Sequence, residues 1–203
     1  MSKTTISQEL IEKTTNFHGH WCPGLAIGIR AAEWALKEMG RTPDEEIVAV
    51  VETDMCAVDA VQYLTGCTFG KGNLIHRDYG KNAFTFYRRH DGKAARLVVR
   101  QTAYGNRGSD MGKLHKKMLE QGLTKEEEEA WHEARAEASK RIMDSALTDL
   151  FEIKEPLGPV PRKARIMSSM VCESCGESVM ESRVRHFGGQ VLCIPCFEEM
   201  EKR

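Results

Sequence analysis

Ala83-Phe-Thr-Phe-Tyr-Arg-Arg89 and Ala95-Arg-Leu-Val-Val-Arg-Gln101 flank the dipeptide Asp91-Gly92. Two runs rich in aromatic and β-branched residues, on either side of a dipeptide that favours a tight reversal, predict an antiparallel hairpin. Upstream, Glu46-Ile-Val-Ala-Val-Val-Glu-Thr53 reads as a buried strand. Helical spacing surrounds these runs. Residues 7–15 place Leu10, Ile11 and Thr14 on one side, and Pro23, suited to a first helical position, opens a longer helix through Leu25, Ile29, Ala32, Leu36 and Met39 to Gly40. Residues 59–64 form a short helix. Gly66, Gly70 and Gly72 then mark irregular backbone before residues 73–77. Residues 110–121 and 125–151 read as a helix pair broken at Gly122. Thr124 and Glu127 form a capping box, and Trp131, Ala134, Ala138, Ile142, Ala146 and Leu150 make an apolar stripe. The sum is an α+β fold, a mostly antiparallel sheet flanked by helices.

The 203 residues suit one medium domain with a small one attached. No apolar run approaches the 18 or so residues of a membrane span, so no membrane role is expected. The start carries no cationic stretch followed by an apolar one, which implies a cytoplasmic chain. Twenty-nine basic against thirty acidic side chains argue against nucleic acid as a partner, because binding to phosphate backbones needs a strong basic excess. Glu155-Pro-Leu-Gly-Pro-Val-Pro-Arg-Lys-Ala-Arg165 sustains neither helix nor central strand and reads as a linker. The expected division is therefore a core at 1–155, a Pro-rich linker at 156–170 and a small domain at 171–203.

Seven cysteines in a reducing compartment point to metal or reactive-thiol chemistry. Four of them, Cys172, Cys175, Cys193 and Cys196, form two C-x-x-C pairs separated by seventeen residues. Two intervening residues let both thiolates reach one ion from a tight turn, and a hairpin at Gly188-Gly189 brings the pairs together. A helix beginning at the second pair gives the order of a treble-clef zinc finger, with one structural zinc.

The other three cysteines lie early. In Phe17-His-Gly-His-Trp-Cys-Pro-Gly24, His18, His20 and Cys22 alternate, so an extended segment would aim all three the same way. Cys22 falls before the Pro23 helix, where the dipole stabilises a thiolate; Cys56 is placed similarly, and both are expected to titrate below about 8.5. Cys67 sits in a Gly-rich turn, as a further ligand or as packing. Imidazole and thiolate together suit zinc, copper, nickel or iron, and fewer than four protein ligands leave a position open. Arg88, Arg89, Arg96 and Arg100 lie on hairpin strands, as a basic rim for an anion or as edge protection. Gly70-Lys-Gly-Asn73 lacks the order of a phosphate loop and reads as a turn.

The blocks His18-Gly-His-Trp-Cys-Pro-Gly-Leu-Ala-Ile-Gly28, Val51-Glu-Thr-Asp-Met-Cys-Ala-Val-Asp-Ala-Val-Gln62, Thr65-Gly-Cys-Thr-Phe-Gly-Lys-Gly-Asn-Leu74 and Asp78-Tyr-Gly-Lys81 resemble, over residues 10–105, the E-subunit family of formylmethanofuran dehydrogenase. The C-terminal finger resembles the treble-clef module that some members append. The resemblance implies an α+β core that forms a homodimer, with a groove that takes a metal or small-molecule ligand. Its second site would be built from His18, His20, Cys22, Cys56 and Cys67, which could hold a second transition metal beside the structural zinc. Cys22, Cys56, Asp59 and Lys81 are the candidate catalytic residues. Two functions follow. One is a metal-binding accessory or redox protein, a metal-dependent oxidoreductase or accessory subunit linked to one-carbon or molybdoenzyme metabolism. The alternative is an adaptor or regulator whose finger binds a protein or nucleic-acid partner.

Overall fold

A computed structural model describes residues 4–40, 46–105 and 110–202. The chain divides after Lys163 into two units, and the first holds the sheet. Helix α1, Gln8–His18, starts where the Ser7 hydroxyl accepts from the Leu10 amide and stops at Gly19, whose φ of 93° only glycine takes without strain. Helix α2, Pro23–Met39, is buried over most of its length and forms the spine of the core. Strand β1, Ile47–Val51, is wholly buried. It leads to α3, Ala57–Thr65, then to β2, Leu74–His76, β3, Ala83–Arg88, and β4, Ala94–Val99. The expected hairpin is β3–β4, with Tyr87 opposite Ala94.

With β5, Phe151–Lys154, the strand order is β2-β1-β3-β4-β5, with β2 parallel to β1 and every other pairing antiparallel. One face carries Ala49, Val51, Phe84, Phe86 and Leu97 against the helices. Alternation sends Val48, Val50 and Tyr87 to the other face.

Three expectations change. The helix of 125–151 is shorter: α5, Lys125–Asp144, ends at Ser145, whose backbone is extended. There Arg30, buried in α2, donates from Nη2 to the Ser145 carbonyl at 2.6 Å and from Nη1 to Glu33 at 2.7 Å. A short α6, Leu147–Leu150, leads directly into β5, Phe151–Lys154, which pairs with β4 from Val99↔Phe151 to Arg96↔Lys154. The free edge of β4 thus decides the conformation of residues whose own pattern is helical. The break after α4, Asp110–Glu120, falls at Gly122 as the sequence suggests, and the Thr124–Glu127 capping box forms.

The Pro-rich stretch up to Lys163 lies with the core. Tyr87 donates from its hydroxyl to the Gly158 carbonyl at 3.1 Å, Arg89 from Nε to the Pro161 carbonyl at 3.3 Å, and Val160 covers the Val48–Val50 face. The four hairpin arginines form no basic rim: Arg88 pairs with Asp91, Arg89 holds this stretch, Arg96 is buried on Glu52, and Arg100 donates to the Thr148 carbonyl.

The second unit contains the hairpins β6, Ser169–Val171, with β7, Ser178–Met180, and β8, Val184–Phe187, with β9, Gln190–Cys193, before α7, Ile194–Glu201. Its buried apolar material is Leu192 with Cys172 and Cys193, edged by Val179 and Phe197. Among the described residues no helix is long and apolar enough to cross a membrane.

Candidate metal centres

The end of α1, the start of α2 and the start of α3 converge on one point. There a ligand atom from each of His18, His20, Cys22 and Cys56 lies within 4.8 Å of every other. The means differ from the extended run expected for residues 18–22. His18 is the last residue of α1, left-handed Gly19 reverses the chain, and the His18 and His20 rings come to 4.4 Å between centroids. Cys22, buried, caps α2, its sulfur accepting from the Leu25 amide at 3.3 Å. Cys56 precedes α3 but makes no cap bond.

Second contacts fix the cluster. His18 Nδ1 lies 2.7 Å from Asp59 Oδ2, leaving Nε2 buried with no partner among the described residues. An imidazole with one nitrogen held by a carboxylate and the other buried and orphaned, in a cluster with two thiols, is the arrangement a metal ion satisfies. Gly24 completes the cradle: a Cβ there would stand 3.2 Å from Cys56 Cβ and 3.8 Å from each sulfur. The donor set of two sulfurs and two nitrogens fits zinc and its neighbours.

The Cys56 thiol does not titrate low. Burial pushes it up, and neighbouring Cys22 adds to the shift; the backbone amide of Cys56 works against the rise without reversing it. Arg135 of α5 works the other way on Cys56. Tyr104 accepts from Asn82 Nδ2 at 2.7 Å, and burial pushes its hydroxyl up to about 12. Neither Arg135 nor Tyr104 stands out by spacing in the sequence; both arrive by tertiary packing.

Cys67 lies outside the cluster. It is buried and donates to the Ile47 carbonyl at 3.4 Å, and burial raises its pKa. Lys81 turns its ammonium over the Tyr79 ring, 5.8 Å from the centroid. Asp59 is a support for His18.

In the second unit the sulfurs of Cys172, Cys175, Cys193 and Cys196 also lie within 4.8 Å of one another. Cys172 accepts from the Cys193 amide at 3.2 Å, and Cys193 caps α7. Backbone amides of Cys175 and Cys193 hold the Cys172 thiol down to about 6, so it is ready to bind metal as thiolate. Four thiolates leave no open position, which is the mark of a structural zinc.

Fold and sites together define a metal-binding α+β protein followed by a C4 zinc finger. Residues 17–152 match the family described as FmdE, Molybdenum formylmethanofuran dehydrogenase operon, and the chain belongs to that family. Residues 165–202 match the prokaryotic dksA/traR C4-type zinc finger. A crystal structure of a tungsten formylmethanofuran dehydrogenase FmdE-like protein from Syntrophus aciditrophicus is similar over the whole of both chains, with a TM-score of 0.62 and 25% identity. A protein from Archaeoglobus fulgidus described as a probable S-adenosyl-L-methionine-binding protein is 32% identical over 199 residues. The match covers 92% of this chain, which spans about half the length of that relative.

Proposed function

We propose that the core cluster holds a second transition metal, and that the chain is an accessory or redox-linked protein of one-carbon or molybdoenzyme metabolism that presents this metal to a small molecule. The observation that carries the reading is His18, clustered with Cys22 and Cys56, with Nδ1 held by Asp59 and Nε2 buried and unpartnered among the described residues. His18, Cys22 and Cys56 are the inner ligands, and exposed His20 is the one a small molecule displaces. The metal would supply Lewis-acid polarisation; the residues hold it, orient His18 and exclude water from the two sulfurs. Family membership and the relative described as binding S-adenosyl-L-methionine support a small-molecule role. Six of seven cysteines stand in ligand groups, which suits a reducing cytoplasm.

The test is metal analysis of the full chain. Two ions per chain are expected, falling to one in Cys22→Ser and in Cys56→Ser with the fold retained; two ions in both variants would remove the core site.

The homodimer belongs to the same proposal. Support comes from family resemblance and from apolar Met118 and Leu119 exposed on α4. Light scattering of the full chain at micromolar concentration should give twice the 22.9 kDa chain mass; a single-chain mass refutes the dimer. For the adaptor reading, one observation speaks: Val171, Met180, Phe187 and Met200 are exposed on the finger. If deleting the finger abolished function while loss of Cys22 did not, that reading would take precedence.

A further inference from the structure

Beside the core cluster the surface opens into a cavity of about 520 Å³ that His18, Cys56 and Asp59 help to line. The His18 side chain at this wall is only 10% exposed. The rest of the wall is unlike a metal site. Val51 and Leu74 supply an apolar surface, and Met55 and Phe69 stand beside it 65% and 79% exposed. The other acidic residue is Asp54, which has neither a hydrogen bond nor an ion pair among the described residues. Among the described residues no lysine or arginine lines the cavity, and His76 and Thr53 also form part of its wall.

These facts choose the charge of the guest. A divalent ion bound by two thiolates and neutral imidazoles carries no net charge, so Asp54 and Asp59 set the sign of the cavity. An anion would meet two carboxylates and, apart from imidazole, no group that can carry positive charge. A neutral molecule would gain nothing from Asp54. A cation on an apolar body is matched at both ends, by the carboxylates and by the Phe69 ring face and Met55 thioether.

We propose that this cavity is a binding subsite for a small organic cation, a sulfonium or ammonium centre on an apolar body, seated between Asp54 and Phe69. Its place beside a metal rests on the proposed function. Recognition of the cation does not, since neither Asp54 nor Phe69 is a ligand.

The zinc-loaded full chain is titrated calorimetrically with S-adenosylmethionine and with S-adenosylhomocysteine, which differ by one methyl group and the positive charge it creates. Benzyltrimethylammonium serves as a smaller ammonium probe. The sulfonium should bind about tenfold more tightly than the thioether. Asp54→Asn should weaken the sulfonium about fivefold and leave the thioether unchanged. Phe69→Ala should weaken benzyltrimethylammonium about threefold. Both positions are exposed, so the variants should fold and keep two zinc ions per chain. Equal affinity for the sulfonium and the thioether overturns the proposal, as does indifference to Asp54→Asn or failure of both cations to bind. A chain that holds one zinc whatever residue occupies position 22, yet still prefers the cation, refutes the metal and keeps the subsite.

Discussion

A Cβ on Gly28 would lie 2.2 Å from the carbonyl oxygen of Ala57 and 2.6 Å from its Cα. Helices α2 and α3 therefore cross with backbone against backbone, and this approach brings Cys22 at the head of one helix to Cys56 at the head of the other. A side chain cannot be absorbed by rotation, because what it strikes is main chain. Gly28→Ala should cost about 2–3 kcal/mol of stability, the range for overpacking a filled core, and should lower core metal affinity through the widened gap. Urea unfolding and metal competition on the same sample check both; a neutral effect on stability would mean that the crossing relaxes.

Gly24 offers a gentler version of the same test. Its Cβ would meet Cys56 Cβ at 3.2 Å, tight but adjustable. Gly24→Ala should cost under about 1 kcal/mol of stability yet weaken the core metal about tenfold, in the range seen when groups supporting a ligand are disturbed. The finger zinc should be untouched. Equal loss at both sites would point to general unfolding.

Glu52 and Arg96 form a buried pair that spans β3, with Nε to Oε1 at 2.6 Å and Nη2 to Oε2 at 2.7 Å. Glu52 lies just before the loop that carries Cys56. Glu52→Gln should destabilise by about 3–5 kcal/mol, because it leaves a buried guanidinium without its counter-charge. The double variant Glu52→Leu, Arg96→Met should recover most of that loss; calorimetric melting of all three chains decides.

Cys67 should be silent in metal analysis and audible in a pH titration. Its folded pKa is raised by burial, so from about pH 8.5 upward the unfolded chain releases this proton first. The contribution is present below that pH and lost as pH rises toward the folded value. Wild type should therefore lose stability relative to Cys67→Ala between pH 7 and pH 10, while both hold two metal ions. A constant difference across that range would show that Cys67 does not titrate.

What the sequence disclosed follows from range. The hairpin, the α2 pattern and the capping box are local and were legible in residues a few positions apart. The C-x-x-C pairs were legible because each knuckle is itself local. Strand β5 was hidden because residues 147–151 continue a helical stripe, and only the edge of β4, fifty residues earlier, draws the following residues into the sheet. The core cluster lay between these cases. His18, His20 and Cys22 were visible together, but Cys56 joins them only through the Gly28 crossing, and Cys67, equally plausible by composition, is carried to the Ile47 carbonyl instead.

The finger provides the sharpest separation of metal from fold. Its buried apolar material amounts to Leu192 and two cysteines, with Val179 and Phe197 at the edge and an edge-to-face contact between Phe187 and Phe197 at 5.6 Å. That is too little to offset the entropy of ordering residues 164–203, so the metal must do so, and structural zinc contributes roughly 10–16 kcal/mol in small fingers. Cys175 is exposed, so replacing its sulfur by oxygen removes a ligand without opening a core cavity. Cys175→Ser should take zinc from two to one per chain and make residues 164–203 labile to protease, while the β1–β5 sheet melts within about 0.5 kcal/mol of wild type. Limited proteolysis with mass analysis reads the first effect and near-ultraviolet dichroism of the core tryptophans the second. A finger that stays protease-resistant after losing its ion would show that hairpin pairing alone holds it.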